Sequence, residues 1–232
     1  MKWLKKNRLW LLPVLLFCVG VGLLVYPTLS NYWNTKKQTA VITTYVENTA
    51  YTHDKEYEEL WEAAAAYNKT LGEQGIHWIL SDEEMEPYQE YLTTDSTGIM
   101  AYIDIPAIDC SLPIYHGTED AVLQVGVGHL EGSSLPVGGE SSHCVLTGHC
   151  GLPSAKLFTD LDRLTEGDEF TIHTLDRTLT YEIDQISVVE PNDLSLLQIE
   201  EGKDYCTLVT CTPYGINSHR LLVRGHRMEE EQ

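Results

Sequence analysis

The chain has 232 residues, 43% of them apolar, and a formal net charge of −20 at pH 7. That length can bury one good core but not two once a membrane segment is subtracted, and so acidic a balance argues against nucleic acid as a partner. Of the 6 cysteines, Cys18 falls in an N-terminal apolar run; the odd number left does not resemble the disulfide framework of a small secreted scaffold.

Lys2, Lys5, Lys6 and Arg8 precede the charge-free run Leu9 to Tyr26, and no acidic residue comes before Glu47. The pattern reads as a basic cytoplasmic stub (1–8) and a single-pass membrane anchor (9–27), with everything after it outside the cell. The run ends Val25-Tyr26-Pro27-Thr28-Leu29 rather than in a small-residue cleavage site, so an uncleaved anchor is expected over a signal peptide. Pro13, Gly20 and Gly22 are tolerable there, because in lipid the helix alone can satisfy backbone groups.

Residues 28–97 read as a helical extension. In Asp54 to Tyr67, strong helix formers place Tyr57, Leu60, Trp61 and Ala64 at helical spacing, and Gly72 and Gly75 end the segment. A less regular stretch, Ile76 to Tyr88, follows. After Gly98 come short β-type runs: Met100–Ile105, His143–Thr147, Glu169–His173, Leu179–Ile183, Ile186–Val189, Tyr205–Cys211 and His219–Val223. Turns at Gly138-Gly139, Gly167-Asp168 and Pro191-Asn192-Asp193 separate them, which suggests a barrel or sandwich over 98–227 and an acidic tail at 228–232.

Three residues in this β region could do chemistry together. Cys211 ends an alternating strand and is followed by Pro213 and Gly215, so it stands at a sheet rim. A reactive thiol needs a cationic or basic neighbour. Arg220 opens the next strand, where a hairpin-like return would bring its guanidinium to that rim to favour thiolate and hold a developing oxyanion. His149 ends Val145-Leu-Thr-Gly-His and is suited to proton transfer near neutral pH.

The segment Thr207-Leu-Val-Thr-Cys211-Thr-Pro-Tyr-Gly-Ile-Asn217-Ser-His-Arg220-Leu-Leu-Val-Arg-Gly225 resembles the active-site strand, turn and Arg strand of class C (pilin-polymerising) sortases. Leu112-Pro-Ile-Tyr-His-Gly117, Gly126-Val-Gly-His-Leu-Glu-Gly132, Leu135-Pro-Val-Gly-Gly139 and Leu146-Thr-Gly-His149 resemble that family in the same order, so the likeness runs from Gly98 to Arg227. It implies a mainly β fold, an eight-stranded sortase β-barrel behind a transmembrane helix and a helical lid. The implied enzyme is a Gram-positive cell-membrane cysteine transpeptidase. Cys211 would cut a Leu-Pro-x-Thr-Gly-like sorting signal between Thr and Gly, and a pilin lysine would resolve the thioacyl enzyme.

In that reading His149 is the acid/base, Arg220 holds substrate and oxyanion, and Thr210 and Asn217 contact substrate. Partners are pilins or surface proteins with C-terminal sorting signals, and no cofactor or metal is needed. A housekeeping enzyme anchoring proteins to cell-wall peptide is the alternative. The lid is expected at about 75–88, with Trp78 or Tyr88 as its apolar face, Pro87 in an Asp-Pro-aromatic-like spelling, and Asp82 or Glu86 as a carboxylate for Arg220. Three departures from the family pattern stand out: Cys150 follows His149 where the family usually has Arg, the chain stops at Met228-Glu-Glu-Glu-Gln232 where many class C enzymes carry a second membrane segment, and the lid's usual Asp-Pro-aromatic is nearest to Glu86-Pro87-Tyr88, with His77-Trp78 as its rival.

A papain-like hydrolase fits less well, since its nucleophile precedes its base. A zinc module using His143, Cys144, His149 and Cys150 lacks a second ligand pair at zinc spacing; a purely structural pilus-associated domain is the remaining non-enzyme reading. Finally, Cys144 and Cys206 each lie five residues before His149 and Cys211. If their strands run parallel and in register, the two thiols are neighbours on the face opposite the dyad, as small buried hydrophobes rather than a disulfide.

Overall fold

The computed structural model describes residues 8–51, 54–94 and 97–228. Lys2, Lys5 and Lys6 of the expected cytoplasmic stub, and Glu229 to Gln232 of the acidic tail, lie outside the described residues.

Helix α1 (Arg8–Tyr51) is one uninterrupted element of 44 residues with Pro13 and Pro27 inside it, so anchor and first extension segment are continuous. A proline interior to a helix removes one N–H and crowds one carbonyl, yet the helix runs through both positions. Its Leu12–Ala50 stretch is long and apolar enough to cross a membrane, and Leu12, Phe17, Leu23 and Leu24 expose most of their surface.

The C-terminal half of the same helix docks on protein. Lys156 N–H donates to Asn31 Oδ1 (2.7 Å), Asn34 Nδ2 to Ser154 O (2.7 Å) and Gln38 Nε2 to Val125 O (2.9 Å). Tyr45 is fully buried; its hydroxyl donates to Met100 O (3.2 Å) and accepts from Leu175 N (2.7 Å). Positions 31, 34, 38 and 45 fall on one helical stripe. Burying Tyr45 contributes roughly 2–3 kcal/mol.

Helix α2 (Asp54–Gln74) buries Tyr57, Ala64 and Leu71 against the barrel, the face expected from its spacing. Buried Asn68 gives its amide to Leu135 O (3.0 Å) and Gly138 O (3.1 Å) and accepts from Leu135 N (2.7 Å), standing in for a strand partner. Arg177 lies over the Trp61 ring at 4.3 Å and pairs with Glu58 at 2.6 Å.

Within the expected lid, Asp82–Glu90 is a helix, α3. Its start follows from Ser81 three residues before Glu84, whose carboxylate accepts from Ser81 N (2.8 Å) and Oγ (2.7 Å). A one-turn helix, α4 (Asp120–Leu123), lies within the region of short strands.

Eight strands follow: β1 (Ile99–Ile105), β2 (Cys110–His116), β3 (Val127–His129), β4 (Ser142–Thr147), β5 (Glu169–Thr174), β6 (Arg177–Val189), β7 (Asp204–Thr212) and β8 (His219–Arg227). They close into a barrel in the order β1-β2-β3-β4-β7-β8-β6-β5. β2/β3 and β4/β7 pair parallel and the rest antiparallel. The expected runs Leu179–Ile183 and Ile186–Val189 are one strand, β6, with an irregularity between Ile183 and Gln185. β2 and β3 escape reading by propensity because one holds Pro113 and the other has Gly128 at its centre. The interior is filled by Ile103, Ile114, Leu146, Phe158, Phe170, Ile172, Tyr181 and Leu208.

Candidate active site

Strand β7 presents two chemically different faces. Cys206 and Leu208 point into the barrel core, whereas Val209 joins a second apolar cluster with Val145, Leu197 and Leu222. Cys211 lies two residues beyond Val209, on that outer face. Across the antiparallel β7/β8 ladder Cys211 is the direct partner of Arg220, as Val209 is of Leu222, and directly opposed residues project to the same side. The pair expected from a hairpin-like return therefore forms by register.

Arg220 is only half-committed. Its Nη1 donates to His219 O (3.2 Å) and, at 3.5 Å, to Asn217 O, and no carboxylate among the described residues pairs with it. Arg224, four residues on, is by contrast fully engaged: it forks onto Asp184 (Nε–Oδ1 3.0 Å, Nη2–Oδ2 2.9 Å) and covers the Tyr205 ring at 4.1 Å. One arginine of the strand serves structure, and the other keeps free donors at the rim.

His149 arrives from the neighbouring strand. β4 pairs parallel to β7 with Thr147 opposite Val209, and the same offset puts His149 level with Cys211. Gly148 N donates to Val209 O (3.0 Å), Thr210 Oγ1 to Gly148 O (2.7 Å), and Phe158 N to His149 O (3.1 Å). These bonds fix the backbone on both sides of His149 and leave its ring without a hydrogen-bond partner among the described residues. Gly148 is required here, since a Cβ would meet the Phe158 ring at 2.7 Å.

The other expected site residues fall in different places. Thr210 is buried and spends its hydroxyl on Gly148, so it holds the His149 loop rather than facing solvent. Asn217 sits exposed in the β7–β8 turn at φ 59°, a conformation asparagine tolerates, and its N–H closes onto Pro213 O (2.9 Å).

Trp78 packs against the Val145–Val209–Leu222 cluster, one rung below the Cys211–Arg220 pair. The backbone at His77 and Trp78 is held close to Gly132, where any Cβ would collide with His77 O. Asp82, Glu86 and Pro87 lie exposed on α3, and neither carboxylate reaches Arg220. Tyr88 is 1% exposed and belongs to the barrel core, so of the expected lid residues the structure brings Trp78 alone to the face of Cys211.

Tyr88 instead closes a buried network that sequence reasoning missed. Its hydroxyl lies 2.9 Å from His129 Nδ1 and accepts from Gly117 N (3.0 Å), while His129 Nε2 faces Ser134 O at 2.9 Å. A proton on Nε2 satisfies all three contacts. The His129 ring also reaches the Cys144 thiol, which hydrogen-bonds Cys206. Cys144 and Cys206 are direct partners in the parallel ladder, buried and free. They lie on the barrel-interior face, opposite Cys211. Burial pushes both thiols up, but the hydrogen bonds from Cys206 and His129 pull Cys144 below its usual value while Cys206 stays well above. The Gly128-His129 pair inside a parallel two-strand contact was the available signal.

A family model described as the sortase domain matches residues 103–228. Among curated proteins, sortase D of Bacillus subtilis (strain 168) is 31% identical over 139 residues, which cover 59% of this chain and 66%, just under two thirds, of that protein. Among solved structures, sortase C1 from Streptococcus agalactiae superposes with a TM-score of 0.80 at 50% identity, covering 82% of this chain and 98% of that one. The Streptococcus pneumoniae sortase C matches with a TM-score of 0.73 at 46% identity, over 82% of this chain and 97% of that one.

Proposed function

The chain belongs to the sortase family, and on that premise we propose that it is a membrane-anchored transpeptidase of the pilin-polymerising kind whose nucleophile is Cys211. The solved S. pneumoniae relative is described in terms of pilin substrate specificity, and the class C structures share up to 50% of their residues with this chain. The observation that carries the reading is the register pairing of Cys211 with Arg220 on one face, with His149 two residues past the end of the adjoining strand, where Gly148 is bonded to Val209 and Thr210.

In this reading the Cys211 thiolate attacks the Thr–Gly carbonyl of a Leu-Pro-x-Thr-Gly-like signal. The oxyanion that forms is met by the uncommitted donors of Arg220. His149 protonates the departing glycine amine and later takes the proton from the incoming lysine amine. Thr210 holds the His149 loop, and Asn217 in the β7–β8 turn borders the substrate. Trp78 is the apolar part of a lid, and α1 is the anchor, with the basic N-terminus inside and the barrel outside.

The test is incubation of the full chain in detergent with a pilin domain ending in Leu-Pro-x-Thr-Gly, followed by intact mass spectrometry. A thioacyl adduct on Cys211 that a pilin lysine discharges is expected. An adduct discharged only by a cell-wall peptide amine would replace pilin polymerisation with wall anchoring, and no adduct at all would remove Cys211 as nucleophile.

A further inference from the structure

Beside Cys211 stands a second accessible thiol that the proposed transfer chemistry does not use. Cys150 and Cys211 are both partly exposed, whereas Cys144 and Cys206 are buried in the barrel and Cys18 lies in the apolar half of α1. Cys110 is also partly exposed, but it lies on β2, which does not pair with β7, its Sγ faces Leu157 O, and desolvation pushes its thiol up to about 12. Among the described residues Cys150 is thus the accessible thiol placed to meet Cys211.

Contacts on both sides of Cys150 hold its loop against the end of β7 and the turn that follows it. On one side Thr210 Oγ1 bonds Gly148 O at 2.7 Å. On the other, Gly151 lies under the Tyr214 ring so closely that a Cβ would sit 3.0 Å from it. Between those two contacts Cys150 lies beside the end of β7, where Cys211 and Thr212 stand. After Thr147 the β4 ladder ends and the chain turns, so strict alternation no longer sends Cys150 to the opposite face. Desolvation raises the Cys150 thiol, and the negative charges of Asp162, Cys211 and Asp160 raise it further. Cys150 is thereby kept protonated and slow toward oxidants on its own.

We propose that Cys211 is a reversible oxidation site and that Cys150 is its resolving thiol. This rests on Cys211 being the reactive thiolate of the proposed function. With peroxide as oxidant, the Cys211 thiolate attacks one peroxide oxygen. The O–O bond breaks, hydroxide leaves, and sulfur loses two electrons to become a sulfenic acid. The Cys150 sulfur then attacks the sulfenic sulfur; an S–S bond forms, the S–O bond breaks, and the departing hydroxide takes the thiol proton as water. A dithiol reverses the step, becoming a cyclic disulfide as both protein thiols are restored. The disulfide shields the nucleophile from irreversible oxidation to sulfinic and sulfonic acid and holds the enzyme off until reduced.

The experiment treats the reduced full-length chain in detergent with a small excess of hydrogen peroxide, blocks remaining thiols with N-ethylmaleimide and digests without reductant. Wild type should yield a peptide pair joined through Cys150 and Cys211 that dithiothreitol separates, with nearly all Cys211 thiol recovered. In Cys150→Ser and Cys150→Ala, Cys211 should pass to sulfinic acid and almost none should be recovered. Sulfinic acid forming on Cys211 equally in wild type and variants, a bridge between Cys144 and Cys206 in place of the expected one, or an unoxidised Cys211 would each overturn the proposal. The readout needs no sorting signal, so its failure is distinct from failure of the acyl-enzyme test on reduced protein.

Discussion

β4 and β7 carry cysteine and histidine chemistry twice, and the two neighbourhoods could hardly differ more. Cys206 and Cys144, five positions upstream of Cys211 and His149, sit in the barrel core with His129 and Tyr88. Cys211 and His149 stand partly exposed at the strand ends with Arg220. Five residues span about 17 Å of strand and reverse the side-chain direction. Residue type is the same in both places. What separates a structural thiol from a candidate nucleophile is face, access and the presence of a cation whose donors are not already spent.

The largest expected effect contrasts the two ends directly. Arg220→Lys keeps the charge but loses the planar fork, so acyl transfer should fall by about 10²–10³-fold. Cys206→Ala should leave turnover per folded molecule within about twofold while costing roughly 1–2 kcal/mol of stability through the space it vacates. Steady-state transfer and urea unfolding of both variants measure this. Comparable losses of turnover in the two would erase the distinction between the neighbourhoods.

Histidines sharpen the same contrast through pH. His116 is partly buried, with Nε2 2.8 Å from Tyr91 O. Burial lowers its pKa from 6.5 to about 4, the carbonyl opposing and the nearby His129 assisting. The folded protein thus prefers neutral imidazole, while the unfolded chain takes up a proton near 6.5. Its contribution is complete above about pH 6.5 and is lost as pH falls toward about 4, on the order of 1–3 kcal/mol. Burial shifts His143 and His173 the same way. Urea midpoints between pH 7 and pH 4 should decline in the wild type and decline less in His116→Phe; parallel curves would show that the titration lies elsewhere.

Much of this site was legible before any coordinates. Cys211, Arg220 and His149 each end or begin a run of alternating apolar residues, and strand ends are where a sheet offers rigid, accessible side chains. The Cys144–Cys206 adjacency also followed from spacing, because a constant offset needs only a parallel ladder. What spacing could not supply was the third dimension of the 75–88 segment. Tyr88 and Trp78 are both aromatics beside acidic residues in sequence, yet one fills the barrel end and the other covers the outer sheet. The choice depends on His129 and Gly132, roughly 40–55 residues downstream, and no local pattern encodes such partners. Thr210 was likewise ambiguous, since a strand threonine next to a candidate nucleophile reads the same whether it meets substrate or, as here, Gly148 O.

The smallest expected effect concerns that cover. Removing the indole in Trp78→Ala should speed alkylation of Cys211 by iodoacetamide several-fold, because an apolar contact rather than an ion pair holds the segment over the Val145–Val209–Leu222 cluster. For the same reason the wild-type rate should change little between ~0.05 and ~0.5 M NaCl. A strong acceleration by salt would mean that a carboxylate latches Arg220 after all.

Helix α1 has a mechanical consequence of its own. Its apolar stretch passes without a break into the stripe where Asn31, Asn34, Gln38 and Tyr45 grip the barrel, and only about 8 Å of helix separates Tyr26 from Asn31. If the apolar half is the proposed anchor, the unbroken helix leaves no flexible linker before the barrel, and the two reorient together. The barrel rim then sweeps a thin layer at fixed height above the bilayer. Encounters with other tethered chains become a search in two dimensions, at an effective concentration set by the membrane plane rather than by bulk solution.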